Sequence, residues 1–402
     1  MGGIPCLVED PSLWRALCAS RLDDYVAAVD KCLYFTREEE QRSDQLAHTR
    51  QRLARQRAAL ERQRDRVASV LRPLTDGAIV LPSRPEDHEK LPIMECYEHI
   101  FRDWAWGARE VDQLRALVEP ALPEAAGAIA IYGAGAGRLA ADIHESRRPR
   151  RTYALDINPL PLLVAAALTR GETVELPELP VAPRTEDDIV IDHQLRAPAQ
   201  RHPGLCWLFA DGLRPPFASG ALDAVVTCWF IDVVAADVRV TAAAINRVLR
   251  PGGLWLNVGP LRFRGSLAQK YAIDEVHEVV AASAFSLRSS SQSDVSYFDS
   301  PHSGSRRLET VFTFCAGKIG EAPPASVPAP AASWVSDPLL PIPVLPPLVA
   351  LATKSIFTAS ALGLVDGTRS MVDIADALGR NWQIRPAEVL DQLRAFFAKL
   401  PY

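Results

Sequence analysis

Between residues 124 and 260 the chain alternates short apolar runs with helix-patterned segments, and few folds accept that alternation. The runs AIAIY (128–132), TYAL (152–155), CWLF (206–209), LDAVVT (222–227) and LWLNV (254–258) are expected as strands of a parallel α/β sheet. A later run, ETVFTFCA (309–316), is expected to close the sheet as an antiparallel edge. The stretch 170–200 is rich in proline and acidic residues and is expected as an insertion loop.

Before the sheet, residues 36–72 lack glycine and proline and are expected as one long helix ended by Pro73. Leu46, Leu53, Leu60 and Val67 recur every seven residues, but the intervening positions are Thr49, Gln56, Gln63 and Val70. A coiled coil needs both sets apolar. The weak seam favours docking on its own protein over homodimer formation, and the arginines read as a solvated face. After the sheet, residues 321–347 contain nine prolines and read as an extended linker. Residues 348–402 then read as a small helical domain, with a DG turn and Thr368 or Ser370 as an N-cap. The expected organisation is a helical N-terminal extension (1–94), an α/β domain (95–320), the linker (321–347) and the small domain (348–402).

The formal charge of −5 argues against a nucleic-acid binder. No run of about 18 apolar residues suggests a membrane span. MGGIPCLVEDPSLW has neither a basic leader nor a signal-like apolar stretch, so a cytoplasmic protein is expected. Seven scattered cysteines without a CxxC pair, and no HExxH, give the expectation of a reduced protein without a metal.

The chemistry concentrates after the first strand, where Gly133, Gly135 and Gly137 precede Arg138 and a helix. Glycines permit a tight turn and close approach of backbone N–H groups to a ligand. A dinucleotide fingerprint asks for glycine or alanine at position 138, so arginine there favours another adenosine-bearing ligand. Asp156 lies 19 residues after Gly137 at the next strand end, where an acid can accept both ribose hydroxyls. Asp211-Gly212 ends the third strand, where a carboxylate can meet the adenine amino group. An ordinary strand–helix turn explains the glycines alone, but not two acids at successive strand ends.

Together with LRPGG before the fifth strand, these features resemble the class I S-adenosylmethionine-dependent methyltransferases. RDW (102–104), YGAGAGRLA (132–140), VVTCWFID (225–232) and LRPGGLWLNVGPL (249–261) are, in order and separation, similar to the carnosine N-methyltransferase family. The resemblance covers roughly residues 95–317 and implies a Rossmann-like sheet with S-adenosylmethionine as cofactor. It also implies that Arg102 holds the cofactor's carboxylate, a match for the guanidinium fork. The family has glutamine three residues earlier, where this chain has His99. The glycine loop, Asp156 (glutamate in the family), Asp211, Gly212 and Cys228 fall at family cofactor positions, Cys228 as backbone and a soft wall rather than a nucleophile.

The same resemblance implies that Asp232 holds the substrate imidazole. A carboxylate on one ring N–H leaves the other nitrogen free to attack, and steadies the positive charge that develops. The bland alternative for Asp232 is an N-cap of the next helix. Tyr297 matches a substrate-contacting tyrosine, against the alternative of an ordinary half-buried one. Arg264 stands where the family has a substrate-contacting histidine, which favours an acidic substrate or a peptide over carnosine itself.

The small domain's LVDGTRSMVDIADALG resembles winged-helix modules, some of which recognise leader peptides in natural product biosynthesis. The function expected is N-methylation of an imidazole in histidine or a small histidine-containing molecule. Methylation of a histidine-containing, ribosomally made peptide held by the small domain is the alternative enzyme reading. A cofactor-binding scaffold without turnover is the other class, and the joint presence of Arg102, Asp156, Asp211 and Asp232 weighs against it.

Overall fold

A computed structural model describes residues 3–78, 94, 96–124, 126–198, 203–234, 236–264, 267–325, 339–342 and 356–397. The chain divides into two compact units, Met1–Arg264 with Gln269–Ser326, and Gly265–Ala268 with Val327–Tyr402. Most of the expected proline-rich linker lies outside the described residues.

The first unit is built on a seven-stranded sheet. Its strands are β1 (Ala128–Tyr132), β2 (Arg151–Asp156), β5 (Leu205–Phe209), β6 (Leu222–Cys228), β7 (Leu249–Gly259), β8 (Phe285–Tyr297) and β9 (Arg307–Lys318). The spatial order is β5-β2-β1-β6-β7-β9-β8. The pairs from β5 to β7 are parallel, and β9 is antiparallel to both β7 and β8. This Rossmann-like α/β arrangement reverses direction at β1, so a crevice opens beyond the carboxyl ends of β1 and its neighbours.

Both faces of the sheet are covered. Ile129 and Ile131 pack into one core, while the alternate residues Ala130 and Tyr132 pack into the other. On the first face lie α5 (Arg138–Arg147) and α6 (Pro159–Thr169). Helix α6 is apolar almost all round, capped by Asn158 and started by Pro159, as befits a buried helix. On the second face lie α7 (Val238–Val248) and α8 (Ile273–Ala282).

Four expectations are corrected. The long helix is two, α1 (Pro11–Gln41) and α2 (Ala47–Thr75), broken where the Arg42 guanidinium bonds Asp44 at 2.8 Å and Glu39 at 3.3 Å. Pro73 sits inside the last turn of α2 and does not end it. Several arginines of α2 reach ion-pair partners, Arg57 with Glu40 and Arg64 with Asp30 on α1, and Arg62 with Asp192, while Arg50, Arg62, Arg66 and Arg72 are exposed as expected of a solvated face. The 170–200 stretch is no plain loop but holds an antiparallel hairpin, β3 (Val174–Glu178) and β4 (Ile191–Leu195). Finally, β9 is not the edge. The edge is β8, whose FSLRSSSQSDVSY is exposed through its middle and so lacks the alternation of a half-buried strand. At the opposite edge, residues 5–7 pair with Phe209, with Leu7 N–H donating to its carbonyl at 2.8 Å and Phe209 N–H to the Pro5 carbonyl at 3.0 Å.

Between α2 and the sheet, α3 (Tyr97–Phe101) runs into one wide π-helical turn, Arg102–Trp106, followed by α4 (Ala108–Val118). Gly107 N–H donates to the Arg102 carbonyl at 2.8 Å, and a Cβ on Gly107 would lie 2.2 Å from that oxygen. Only glycine closes the turn there.

The second unit contains α9 (Ile356–Leu362), α10 (Met371–Trp382) and α11 (Pro386–Phe397), around Ile342, Met371, Ile374, Leu378, Val389, Leu393 and Phe397. Ser370 caps α10 and forms a capping box with Asp373, whereas Thr368 bonds Asp366 in the preceding turn. No helix among the described residues is long and apolar enough to cross a membrane.

Trp255 is fully buried against Phe285 and Phe314, and its indole N–H donates to Thr227 Oγ1 at 3.0 Å. Trp255→Ala should lower unfolding free energy by about 3–5 kcal/mol, read as a fall in the urea midpoint by circular dichroism.

Candidate active site

The glycine loop leaves β1 with Gly133, Gly135 and Gly137 all at positive φ (64°, 54° and 84°). A Cβ on Gly137 would lie 2.4 Å from the Trp207 ring, so glycine there is required by packing as well as by conformation. Asp156, at the end of β2, accepts from Gly135 N–H at 2.7 Å on one oxygen and from Asn158 N–H at 2.8 Å on the other. The acid thus steadies the loop and keeps lone pairs for a ribose diol. Burial pushes its pKa up, opposed by those backbone N–H groups. Asp211 accepts from Leu213 N–H at 2.9 Å in the turn after β5. Gly212 lies under Phe230, whose Cζ would be 2.6 Å from an added Cβ.

The RDW segment docks on this loop. Asp103 takes Arg102 Nε and Nη2 on one oxygen (2.9 and 2.7 Å) and Arg138 N–H on the other (3.1 Å). Trp104 donates its indole N–H to the Ala136 carbonyl at 2.6 Å. Burial opposes charge on Arg102, but Asp103, Tyr297 and Cys228 together hold its pKa above the ordinary arginine value. No protein hydrogen bond to Arg102 Nη1 occurs among the described residues, which suits a ligand carboxylate. Fixed glycine turns, a half-buried carboxylate and this guanidinium fit the phosphate-free adenosyl amino acid implied by the resemblance. Cys228 is half-buried, and burial pushes its thiol up to about 12, consistent with a passive wall.

Asp232 is 1% exposed. Its Oδ2 accepts from Arg262 N–H at 3.0 Å, and its Oδ1 is buried with no partner among the described residues. Burial raises its pKa, and the Glu309 charge adds to the rise. Asp232 does not cap α7; Asp237 does, accepting from Arg239 N–H at 2.9 Å.

Tyr297, at the end of β8, stacks on Trp229 with ring centroids 5.2 Å apart, beneath the Arg102 and Arg307 guanidinium groups. Its hydroxyl bonds His99 Nε2 at 3.0 Å rather than Asp232. Burial pushes the Tyr297 hydroxyl up to about 12, so it is no base near neutrality. Trp229 has φ +46°, an uncommon setting for a bulky residue, and its indole N–H donates to Glu309 at 3.0 Å. Arg264 is exposed; Arg262, two residues earlier, is the arginine beside Asp232 and Glu309.

Sequence reasoning missed Asp103, Gly107, Trp229, Glu309 and Arg307. A buried acid in a strand otherwise as apolar as β9 was the available signal for Glu309, while the π turn that requires Gly107 has no pattern in sequence.

Burial, then Arg102 and Arg307, pushes His99 down to about 3. An unfolded histidine binds its proton near pH 6.5, so the folded state binds fewer protons below that value and loses stability as pH falls. His99→Gln should therefore flatten the slope of stability against pH between about 6.5 and 5, measured by urea unfolding at a series of pH values. Iodoacetamide at pH 7.5 should alkylate exposed Cys32 and spare Cys228 until urea is added, as mapped by peptide mass spectrometry.

The model of the carnosine N-methyltransferase family matches residues 208–307, and that of a methyltransferase domain matches residues 131–256. Mouse (Mus musculus) carnosine N-methyltransferase is 32% identical over 83 residues, covering 19% of this chain and 20% of that protein. The chain thus spans about a fifth of the length of this curated relative. A putative methyltransferase from Bacillus halodurans C-125 is 10% identical with a TM-score of 0.37, covering 52% of this chain and 100% of that one. A SAM-dependent methyltransferase from Aquifex aeolicus is 12% identical with a TM-score of 0.37, covering 56% of this chain and 99% of that one. The strand order gives the fold, the methyltransferase-domain match takes in the glycine loop, and both matches take in Cys228 and Asp232. On that ground the chain carries a class I S-adenosylmethionine-dependent methyltransferase domain, which over residues 208–307 is similar to the carnosine N-methyltransferase family.

Proposed function

We propose that the chain transfers the methyl group of S-adenosylmethionine to an imidazole nitrogen of histidine or of a small histidine-containing molecule. The observation that carries this reading is the buried, partnerless Oδ1 of Asp232 between the carboxyl ends of β6 and β7. A desolvated acceptor without a donor costs stability and is retained where a ligand supplies the missing N–H. The family match over residues 208–307 supports an imidazole as that ligand.

In this reading Arg102 holds the cofactor's carboxylate, Asp156 its ribose, and the Asp211-Gly212 turn faces its base. Bound there, S-adenosylmethionine supplies an electrophilic methyl group. Asp232 Oδ1 accepts one imidazole N–H, which fixes the tautomer and leaves the second nitrogen's lone pair free. Its charge also favours the ring as positive charge grows on it, and this is stronger in a desolvated site. Arg262 N–H holds the other oxygen and keeps the carboxylate from turning. Trp229 and Tyr297 form a flat wall against which a ring can be oriented.

Two variants separate binding from transfer. Asp232→Asn should lower kcat for histidine or carnosine by about a hundredfold or more, with the Kd for S-adenosylmethionine changed less than about twofold. Asp156→Asn should weaken S-adenosylmethionine binding by about tenfold in calorimetry. Mass spectrometry of a panel holding histidine, carnosine and a histidine-containing peptide reads the product. No added methyl on any small imidazole, with cofactor binding intact, would sink the proposal.

A further inference from the structure

The bend after β6 holds a bulky residue in a backbone region that bulky residues avoid. Trp229 stands at φ +46°, between Cys228 and Asp232. Such a setting persists only where the surroundings over-determine it. A Cβ on Gly259 would lie 3.1 Å from Trp229 N and 3.2 Å from its Cα, and Trp229 N–H donates to the Val258 carbonyl at 3.0 Å. Those contacts hold the main chain. The heading of the indole is held separately, by its N–H on Glu309 Oε2 at 3.0 Å.

We infer that Glu309 is a positioning residue of the methyl transfer, which acts through the Trp229 indole to keep the aromatic wall in register with Asp232. This deepens the proposed function and rests on it for the reaction.

Glu309 shares a face of β9 with Val311, which packs into the first core, and is itself 3% exposed. A carboxylate there is costly unless its charge and lone pairs are engaged. Both oxygens are engaged. Oε2 takes the indole, while Oε1 takes Arg307 Nη2 at 3.1 Å and Arg262 Nη2 at 3.4 Å. Arg262 gives its backbone N–H to Asp232 Oδ2 at 3.0 Å, and Arg307 lies 4.6 Å from the centroid of the Tyr297 ring. One buried acid thus grips Trp229, the arginine over Tyr297 and the residue that orients Asp232. It is near enough for its charge to raise the pKa of Asp232.

Glutamine cannot stand in for it. All three partners are donors, so an amide would turn its NH2 toward either the indole or the guanidinium groups. Glu309→Gln therefore keeps the size of the side chain and breaks one side of the grip. Plain ion pairing with Arg262 and Arg307 is the rival role, and it implies lost stability with unaltered turnover per folded molecule.

The test uses full-length protein with its eight tryptophans isotope-labelled, and the variants Glu309→Gln, Trp229→Phe and both together. With S-adenosylhomocysteine bound, Trp229→Phe identifies the Trp229 indole signal by its loss from the nuclear magnetic resonance spectrum. Glu309→Gln should move that signal and leave the other indoles in place, which also shows that the variant is folded. With S-adenosylmethionine and histidine or carnosine, each single variant should lower kcat about tenfold, with KM changed less than about twofold. The double variant should fall no further than the slower single one, because both remove the same bond. An indole signal unmoved by Glu309→Gln, an unchanged kcat in that variant with a lower urea midpoint, or losses that multiply in the double variant would overturn the inference. No transfer by the unmodified protein would instead remove the methylation reading, and the hold on Trp229 would then stand or fall on the indole signal.

Discussion

The parallel strands run outward in both directions from β1, and every group that matters hangs on that reversal. Neighbouring crossovers that leave β1 and β6 depart to opposite faces, so a crevice opens at the carboxyl ends of these strands. Into that gap come the glycine loop after β1, Asp156 after β2 and Asp232 after β6. The sheet itself sets their separations, since adjacent strands lie a fixed distance apart. What varies is the covering on the approach side, built here by the π turn, the hairpin and the loop after β8.

Asp103 joins that covering to the sheet. One carboxylate orients Arg102 with one oxygen and receives the first turn of α5 with the other. Arg102 is thereby registered against the same loop that carries Gly135 and Gly137. The wide turn closed by Gly107 makes room for this, because an ordinary α-helical continuation would carry these side chains to different headings.

Six strands of the sheet were legible because each is largely buried and therefore reads as a short apolar run, although β9 was expected at the edge. β8 was not, since its middle is solvated and serine-rich. The hairpin was hidden for a similar reason, being short, partly acidic and interrupted by Pro177. Of the site, the glycine loop and the strand-end acids announce themselves through spacing, and Arg102, Asp232 and Tyr297 through motif resemblance. Asp103, Trp229 and Glu309 did not, because their roles arise from contacts made across long stretches of chain. Trp229 and Glu309, for example, lie 80 positions apart and meet only when β9 pairs with β7. The break between α1 and α2 depends on a local clamp by Arg42 that no apolar periodicity records.

Residues 5–7 pair with Phe209 at the outer edge of β5. During synthesis these residues leave the ribosome some two hundred positions before their partner exists. Loop closure over such a span is slow and comes late. Until then the β5 edge presents unpaired backbone groups to any other strand nearby. Residues 5–7 thus act as a seal applied after the sheet is assembled, and nascent chains in which that seal has not yet closed would be the ones most in need of a chaperone.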